Sequence, residues 1–265
     1  MAKRIITSII GLVIFFAVLF AGKTAFTVAI FLVTLGMLVE LYTGLKSNNT
    51  LNLTGFICAV MLLLGMIFES ISKELMTFLC IGTYLAVMVN QHKRVAFKDV
   101  CTHGFLTFFI TTFFGTMIRI RAEFGTYAVL LAFVCAWITD SGAYFTGRAI
   151  GKTKLMPKVS PKKTVEGAVG GIVAAVVFSW IYMSVINKVP TLHPQGTINY
   201  FSITIIALIT SVFSQLGDLV ASSIKRDCNI KDFGNILPGH GGILDRFDSV
   251  IYITPLIYYM LILFA

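Results

Sequence analysis

Long apolar runs recur along the chain, and most are too long to be ordinary core helices. A helix rising 1.5 Å per residue needs about 20 mostly apolar residues to cross the hydrocarbon layer of a bilayer. Nine runs meet or approach that length, over residues 5–21, 25–42, 51–68, 75–89, 104–118, 127–144, 168–186, 201–219 and 247–264. The fourth and fifth are short, so an interfacial or tightly packed helix, and a count of eight, is the alternative. The pattern predicts an all-α polytopic membrane protein with about nine transmembrane helices. Lys3 and Arg4 before the first run resemble the start of a signal peptide, but Ala21-Gly22-Lys23 is a poor cleavage site. A retained first helix is expected.

Composition agrees with a lipid solvent. The 265 residues are 57% hydrophobic and 12% charged, against about 25% charged in soluble domains. A soluble fold of this size has too little interior to hide that much apolar side chain. The net charge of +9 could suit nucleic acid, but no recognition motif accompanies it, so no such partner is expected. Basic residues in a membrane protein mark cytoplasmic loops. With the N-terminus inside, the tail and the even-numbered loops hold sixteen of the 21 Lys and Arg. The odd loops hold only Lys23, Lys73, Arg119, Arg121 and Lys188. This asymmetry favours nine spans, with the N-terminus cytoplasmic and the C-terminus outside. The expected location is the cell inner (plasma) membrane.

Cysteine chemistry adds little. Cys58, Cys80, Cys101, Cys135 and Cys228 are scattered, without a C-x-x-C pair or zinc-ligand spacing. Acids are more informative. Glu40, Glu69, Glu74, Asp99 and Glu123 are spread over the first half, and the other seven acids lie between Asp140 and Asp248. Residues 1–124 therefore read as transmembrane scaffold and 125–265 as a transmembrane catalytic region with polar loops on the cytoplasmic face.

Two loops carry the candidate chemistry. Asp140, near the end of the sixth run, either pairs with a neighbouring Lys or helps form a cation or substrate site, because an unpaired charge there is costly. Residues 147–153 read G-x-x-x-G-K-T, one residue short of a Walker A loop and without its preceding strand, so a P-loop is rejected. Lys158, Lys162 and Lys163 form either a solvated basic face or a phosphate-binding surface. Gly167 and Gly171 have the four-residue spacing of close helix packing.

The loop after the eighth run is harder to explain as scaffold. Gln215, Asp218, Ser222, Lys225 and Arg226 form one polar helical stripe. Lys231, Asp232, Gly234, Pro238, Gly239, His240, Gly241 and Gly242 follow, and then Asp245, Arg246 and Asp248. A single loop joins the eighth and ninth spans on one membrane side, so Asp218 is expected within reach of Asp245 and Asp248. Three carboxylates repel unless bases or a metal compensate. Oxygen ligands favour Mg²⁺, the four cations Lys225, Arg226, Lys231 and Arg246 suit phosphate oxygens, and the glycines let backbone N–H groups approach an anion. A purely structural salt-bridge knot is the competing reading. His240 stands alone among glycines and could contact phosphate; no second His or Cys joins it as a zinc ligand.

The string from Ser222 through Lys225-Arg226, Lys231-Asp232-Phe233-Gly234 and Leu237-Pro238-Gly239-His240-Gly241-Gly242-Ile243-Leu244-Asp245-Arg246-Phe247-Asp248-Ser249 closely resembles the signature of CDP-diacylglycerol synthases (phosphatidate cytidylyltransferases). Asp140-Ser141-Gly142-Ala143-Tyr144 and Ser160-Pro161-Lys162-Lys163-Thr164-Val165-Glu166-Gly167 resemble it too, although the family more often has Thr and Trp at the positions of Ser141 and Val165. The match covers the C-terminal half; the first half agrees only in length and hydropathy. The resemblance implies that CTP and phosphatidate become CDP-diacylglycerol and pyrophosphate, with Mg²⁺ required. It also implies Asp218 and Asp245 as metal ligands, Asp248 and Asp140 at a second, monovalent cation (K⁺) site, and a homodimer. Lys225 and Arg226 are expected on phosphate oxygens. Lys162, Lys163, Ser222, Lys231, His240, Gly241 and Gly242 are the expected substrate contacts, and Arg246 joins the catalytic set. The rivals are an ion-coupled transporter, against which no inverted repeat appears, and a CTP-dependent lipid kinase or CDP-alcohol phosphotransferase. The latter's D-x-x-D-G-x-x-A-R motif is absent.

Overall fold

Apolar runs become helices and the polar strings between them become their caps and connections. The computed structural model describes residues 2–68, 70–189, 199–237, 239 and 241–264. Among them are α1 (Ala2–Phe20), α2 (Lys23–Leu45), α3 (Asn49–Ile67), α4 (Lys73–Asn90), α5 (Phe97–Glu123) and α6 (Thr126–Ile150). A hairpin of β1 (Lys154–Met156) and β2 (Ser160–Thr164) follows, then α7 (Val165–Ile186), α8 (Tyr200–Asp227) and α9 (Leu244–Phe264). Seven of these helices (α2, α3 and α5–α9) are long and apolar enough to cross a membrane. Large apolar side chains such as Phe78, Phe105, Phe201 and Leu263 are two-thirds or more exposed. Apolar surface on that scale suits lipid, not water.

Two expectations change. The fifth run, expected over 104–118, is a 27-residue helix, because Lys98, Asp99, Arg119, Arg121 and Glu123 extend it past its apolar centre at both ends. Hydropathy marks the part of a helix suited to lipid, not its polar ends. The all-α reading also misses the antiparallel hairpin, in which Lys154 pairs with Thr164 and Met156 with Ser160. Its strands are only three and five residues long and too polar to show an alternating pattern.

The chain divides into two compact units. The first comprises Met1–Arg119 with Ile230–Arg246, the second Ile120–Asn229 with Phe247–Ala265. In the first, α2 packs on α1 and α3, and α3 packs on α4. Leu51, Cys58, Leu62, Cys80, Tyr84, Val95 and Val100 form one buried cluster there. Beside it the Tyr42 hydroxyl bonds Thr107 at 2.8 Å and the Tyr84 hydroxyl bonds His103 Nδ1 at 2.9 Å, so these polar tips are satisfied away from water.

In the second unit α6, α7 and α8 pack on one another. The expected role of Gly167 and Gly171 is borne out. A Cβ at Gly167 would lie 2.7 Å from the Ala143 carbonyl oxygen, and one at Gly171 2.7 Å from that of Thr139. Small residues thus let α6 and α7 approach backbone to backbone. Gly171→Leu is expected to destabilise the protein by about 1–3 kcal/mol, seen as a lower unfolding midpoint in detergent. An unchanged midpoint would show that the helices separate without cost.

Candidate functional site

The site in the second unit is assembled from the motif at the start of α7. Thr164 is the N-cap of that helix, its hydroxyl accepting from Gly167 N at 3.1 Å, a standard way to satisfy an orphan N–H. The Glu166 carboxylate accepts from Lys152 N and Thr153 N, each at 3.1 Å, and so closes the base of the hairpin. Successive residues of a strand face opposite ways. Lys162 is exposed, whereas Lys163 makes a salt bridge with Asp218 Oδ2 on α8.

Around that pair the structure gathers further charge. Asp140 of α6 and Asp248 of α9 each lie close enough to Asp218 to feel its negative charge, and Asp248 also feels that of Asp140. Lys163 offsets the field at Asp140, and Lys225 offsets it at Asp248. Ser249 donates its hydroxyl to Asp140 Oδ2 at 3.2 Å, and its backbone N–H to Asp248 Oδ1 at 2.7 Å. Ser222 donates weakly to Asp218 Oδ1 at 3.4 Å. The polar stripe on α8 is real: Asp218 and Lys225 face this cluster, while Arg226 reaches the hairpin turn, its Nε 3.5 Å from the Val159 carbonyl. Gln215, one turn earlier, is anchored on the Ala168 carbonyl at 3.2 Å.

Asp245 belongs to the first unit, where it organises the glycine loop. Its Oδ2 accepts from Phe233 N at 2.8 Å and from Gly242 N at 3.1 Å. The Gly242 amide, expected as an anion donor, is therefore engaged within the loop. Gly241 has φ +83°, a conformation that glycine adopts without penalty, and Leu237 N bonds the Gly241 carbonyl across the loop. Lys231 and Arg246 are exposed. His240 and Pro238 lie outside the described residues.

The sequence reading does not single out Glu40. This carboxylate on α2 is 3% exposed, and accepts from Ile243 N and Leu244 N, both at 2.9 Å. Those amides belong to the first residue of α9 and the one before it, so a residue some two hundred positions earlier caps that helix. Any side chain at Gly234 or Gly242 would collide with the same carboxylate. A signal was available: Glu40 is an ionisable residue within an apolar run, and such residues are functional candidates by default.

The cluster around Asp218 supplies oxygen donors with adjacent ammonium groups. Hard oxygen ligands with space left for water and phosphate are what Mg²⁺ takes, so the donor set fits that ion in kind. Among the described residues no three His, Cys, Asp or Glu side chains converge tightly enough to hold a metal by themselves. A fit therefore rests on one or two carboxylates completed by substrate phosphate, the usual arrangement for Mg²⁺.

The comparisons with known proteins cover the whole chain. The model of the cytidylyltransferase family matches residues 2–264. The phosphatidate cytidylyltransferase of Bacillus subtilis (strain 168) is 38% identical, covering 100% of this chain and 99% of its own. That of Staphylococcus saprophyticus is 35% identical, over 99% of each chain. The Thermotoga maritima enzyme of the same name is 31% identical, over 74% of this chain and 72% of its own. With its long apolar helices and these bacterial relatives, the chain is an integral membrane protein. The resemblance first carried by two C-terminal motifs thus extends over the first half as well, and the chain belongs to the cytidylyltransferase family.

Proposed function

We propose that the chain transfers the cytidylyl group of CTP to phosphatidate, giving CDP-diacylglycerol and pyrophosphate for phospholipid synthesis. The observation that carries this reading is the Lys163–Asp218 pair set beside Asp140, Asp248 and Lys225. It is a mixed-charge cluster suited to phosphate and cation. The reaction needs no nucleophile from the protein. The phosphate of phosphatidate is already an anion near neutral pH, with a second pKa of about 6. One of its oxygens attacks the α-phosphorus of CTP, a new P–O–P bond forms, and the bond to the β-phosphate breaks to release pyrophosphate.

Catalysis then reduces to holding the two phosphates in line and neutralising charge as the leaving group departs. Lys225 and Arg226 bind phosphate oxygens. Lys163, held by Asp218, presents a fixed ammonium group, and the exposed Lys162 takes the substrates' outer phosphates. Asp218, with Asp248 and Asp140, would hold Mg²⁺ and a second, monovalent cation. Bound Mg²⁺ supplies charge neutralisation at the leaving pyrophosphate. Asp245 acts through the glycine loop that it ties together. The proposal includes a homodimer, a site facing the cytoplasm where CTP is available, and nine spans in the inner membrane with the N-terminus inside.

Purified protein given CTP, phosphatidate and Mg²⁺ is expected to release one pyrophosphate per CDP-diacylglycerol formed. Transfer of the terminal phosphate of CTP, with CDP as product, would overturn the assignment in favour of a kinase. Chelation of the divalent ion is expected to stop turnover and its restoration to recover it.

A further inference from the structure

The first unit contains a cavity of about 400 Å³ that none of the chemistry above uses. It is formed where α2 ends and α3 begins, and where the turn after α4 leads into α5. Lys46, Arg94 and Lys98 line it together with a single acid, Asp99. All four are exposed, and among the described residues the three cations make no salt bridge, with Asp99 or with any other acid.

The interior of the cavity is of a different character. Leu51 and Val95, 1% and 5% exposed, contribute apolar wall. Ser47 and the buried His103 contribute polar groups, both already bonded to Asn52: Ser47 Oγ at 2.5 Å and His103 Nε2 at 3.3 Å. Lys46 is itself fixed in an unusual way. It has φ 51° at the end of α2, a left-handed conformation that costs a side-chain-bearing residue about 1 kcal/mol. Cations left unpaired at the mouth of a partly apolar, partly hydrogen-bonding cavity suit an anion attached to an apolar body. Cations that serve only to mark a cytoplasmic face need no cavity.

We propose that this cavity binds an anionic phosphate group, and that its source is the phosphodiester headgroup of a membrane phospholipid. Lys46, Arg94 and Lys98 take the phosphate oxygens, Ser47 and Thr102 face the glycerol region, and Leu51 and Val95 meet the first methylenes. The inference rests on the membrane placement given above but not on cytidylyl transfer.

The test uses the full chain in detergent, with lipid retention read by native mass spectrometry. Phosphatidylglycerol is the probe, since its phosphodiester is not a substrate. The combined variant Lys46→Gln/Arg94→Gln/Lys98→Gln is expected to bind it at least about tenfold more weakly, since a basic residue near an anionic surface contributes about 1 kcal/mol. A control that removes three charges elsewhere, Lys23→Gln/Lys73→Gln/Lys93→Gln, is expected to bind like the wild type. Both variants should keep the wild-type unfolding midpoint without lipid and the wild-type turnover of phosphatidate.

Competition by inorganic phosphate at millimolar concentration separates the sources. Displacement of lipid by phosphate alone would assign the cavity to a soluble anion and overturn the lipid assignment. Equal retention by wild type and the cavity variant, or equal loss in the control, would overturn the site itself. Retention is read without turnover, so failure of the cytidylyltransferase reading would leave this result standing, and the converse also holds.

Discussion

Replacing Asp218 by Asn is expected to lower kcat/KM for CTP by about 10³-fold while the protein stays folded. The Lys163 and Asp218 side chains are 26% and 28% exposed, and a pair this open to solvent contributes only about 0–1 kcal/mol to stability. Its loss should barely move the unfolding midpoint. In catalysis the same carboxylate fixes Lys163, shares its field with Asp140 and Asp248, and is a proposed cation ligand. Asn keeps the shape and removes the charge. Lys163→Met should lower turnover by a similar factor, and the double variant should be no worse than the poorer single, because groups that act as a unit are not additive. A single or double variant that turns over at the wild-type rate would remove the pair from the site.

Glu40→Ala is expected to cost on the order of 100-fold in turnover, although Glu40 is assigned no contact with substrate. Its carboxylate holds the Ile243 and Leu244 amides, and each buried N–H left without a partner costs about 1–3 kcal/mol. The loop bearing Lys231, Gly241, Gly242 and Asp245 would then lose its fixed position. A displacement of about 1 Å at a reacting centre can itself cost about 100-fold. Glu40→Gln keeps one acceptor oxygen and should recover part of the activity. Hydrogen exchange should rise in residues 230–246 in step with the fall in kcat, with a smaller change in KM. Wild-type turnover in Glu40→Ala, or loss of activity without faster exchange in that segment, would sink the positioning role.

What the sequence makes legible follows from the range of each signal. Hydropathy finds the helices because the bilayer imposes a length on every one of them, yet it misplaces the ends of α5, where polar residues continue the helix. The motif around Lys163 is readable as a cluster of basic and small residues. Its division of labour is not: only the hairpin shows that Lys163 turns to Asp218, that Thr164 caps α7 and that Glu166 ties residues 152 and 153. Asp140, Asp218 and Asp248 are foreseeable as costly charges near the ends of apolar runs, and the structure gathers them. Glu40 carries the same signal, but its partners are glycines and backbone amides about two hundred residues away. No local pattern encodes such a pairing.

The same separation constrains how the protein is made. The first unit is discontinuous, built from Met1–Arg119 and completed by Ile230–Arg246. During synthesis Glu40 enters the membrane with α2 long before the amides it will hold have been translated. At about 5–20 residues per second, the roughly two hundred intervening residues leave that carboxylate waiting about 10–40 s in an unfinished unit. Contacts of such long range form late and slowly. A chain terminated before residue 230 would therefore insert its early helices yet leave Glu40 without the amides it holds in the finished chain. Only the finished chain closes the glycine loop over that carboxylate.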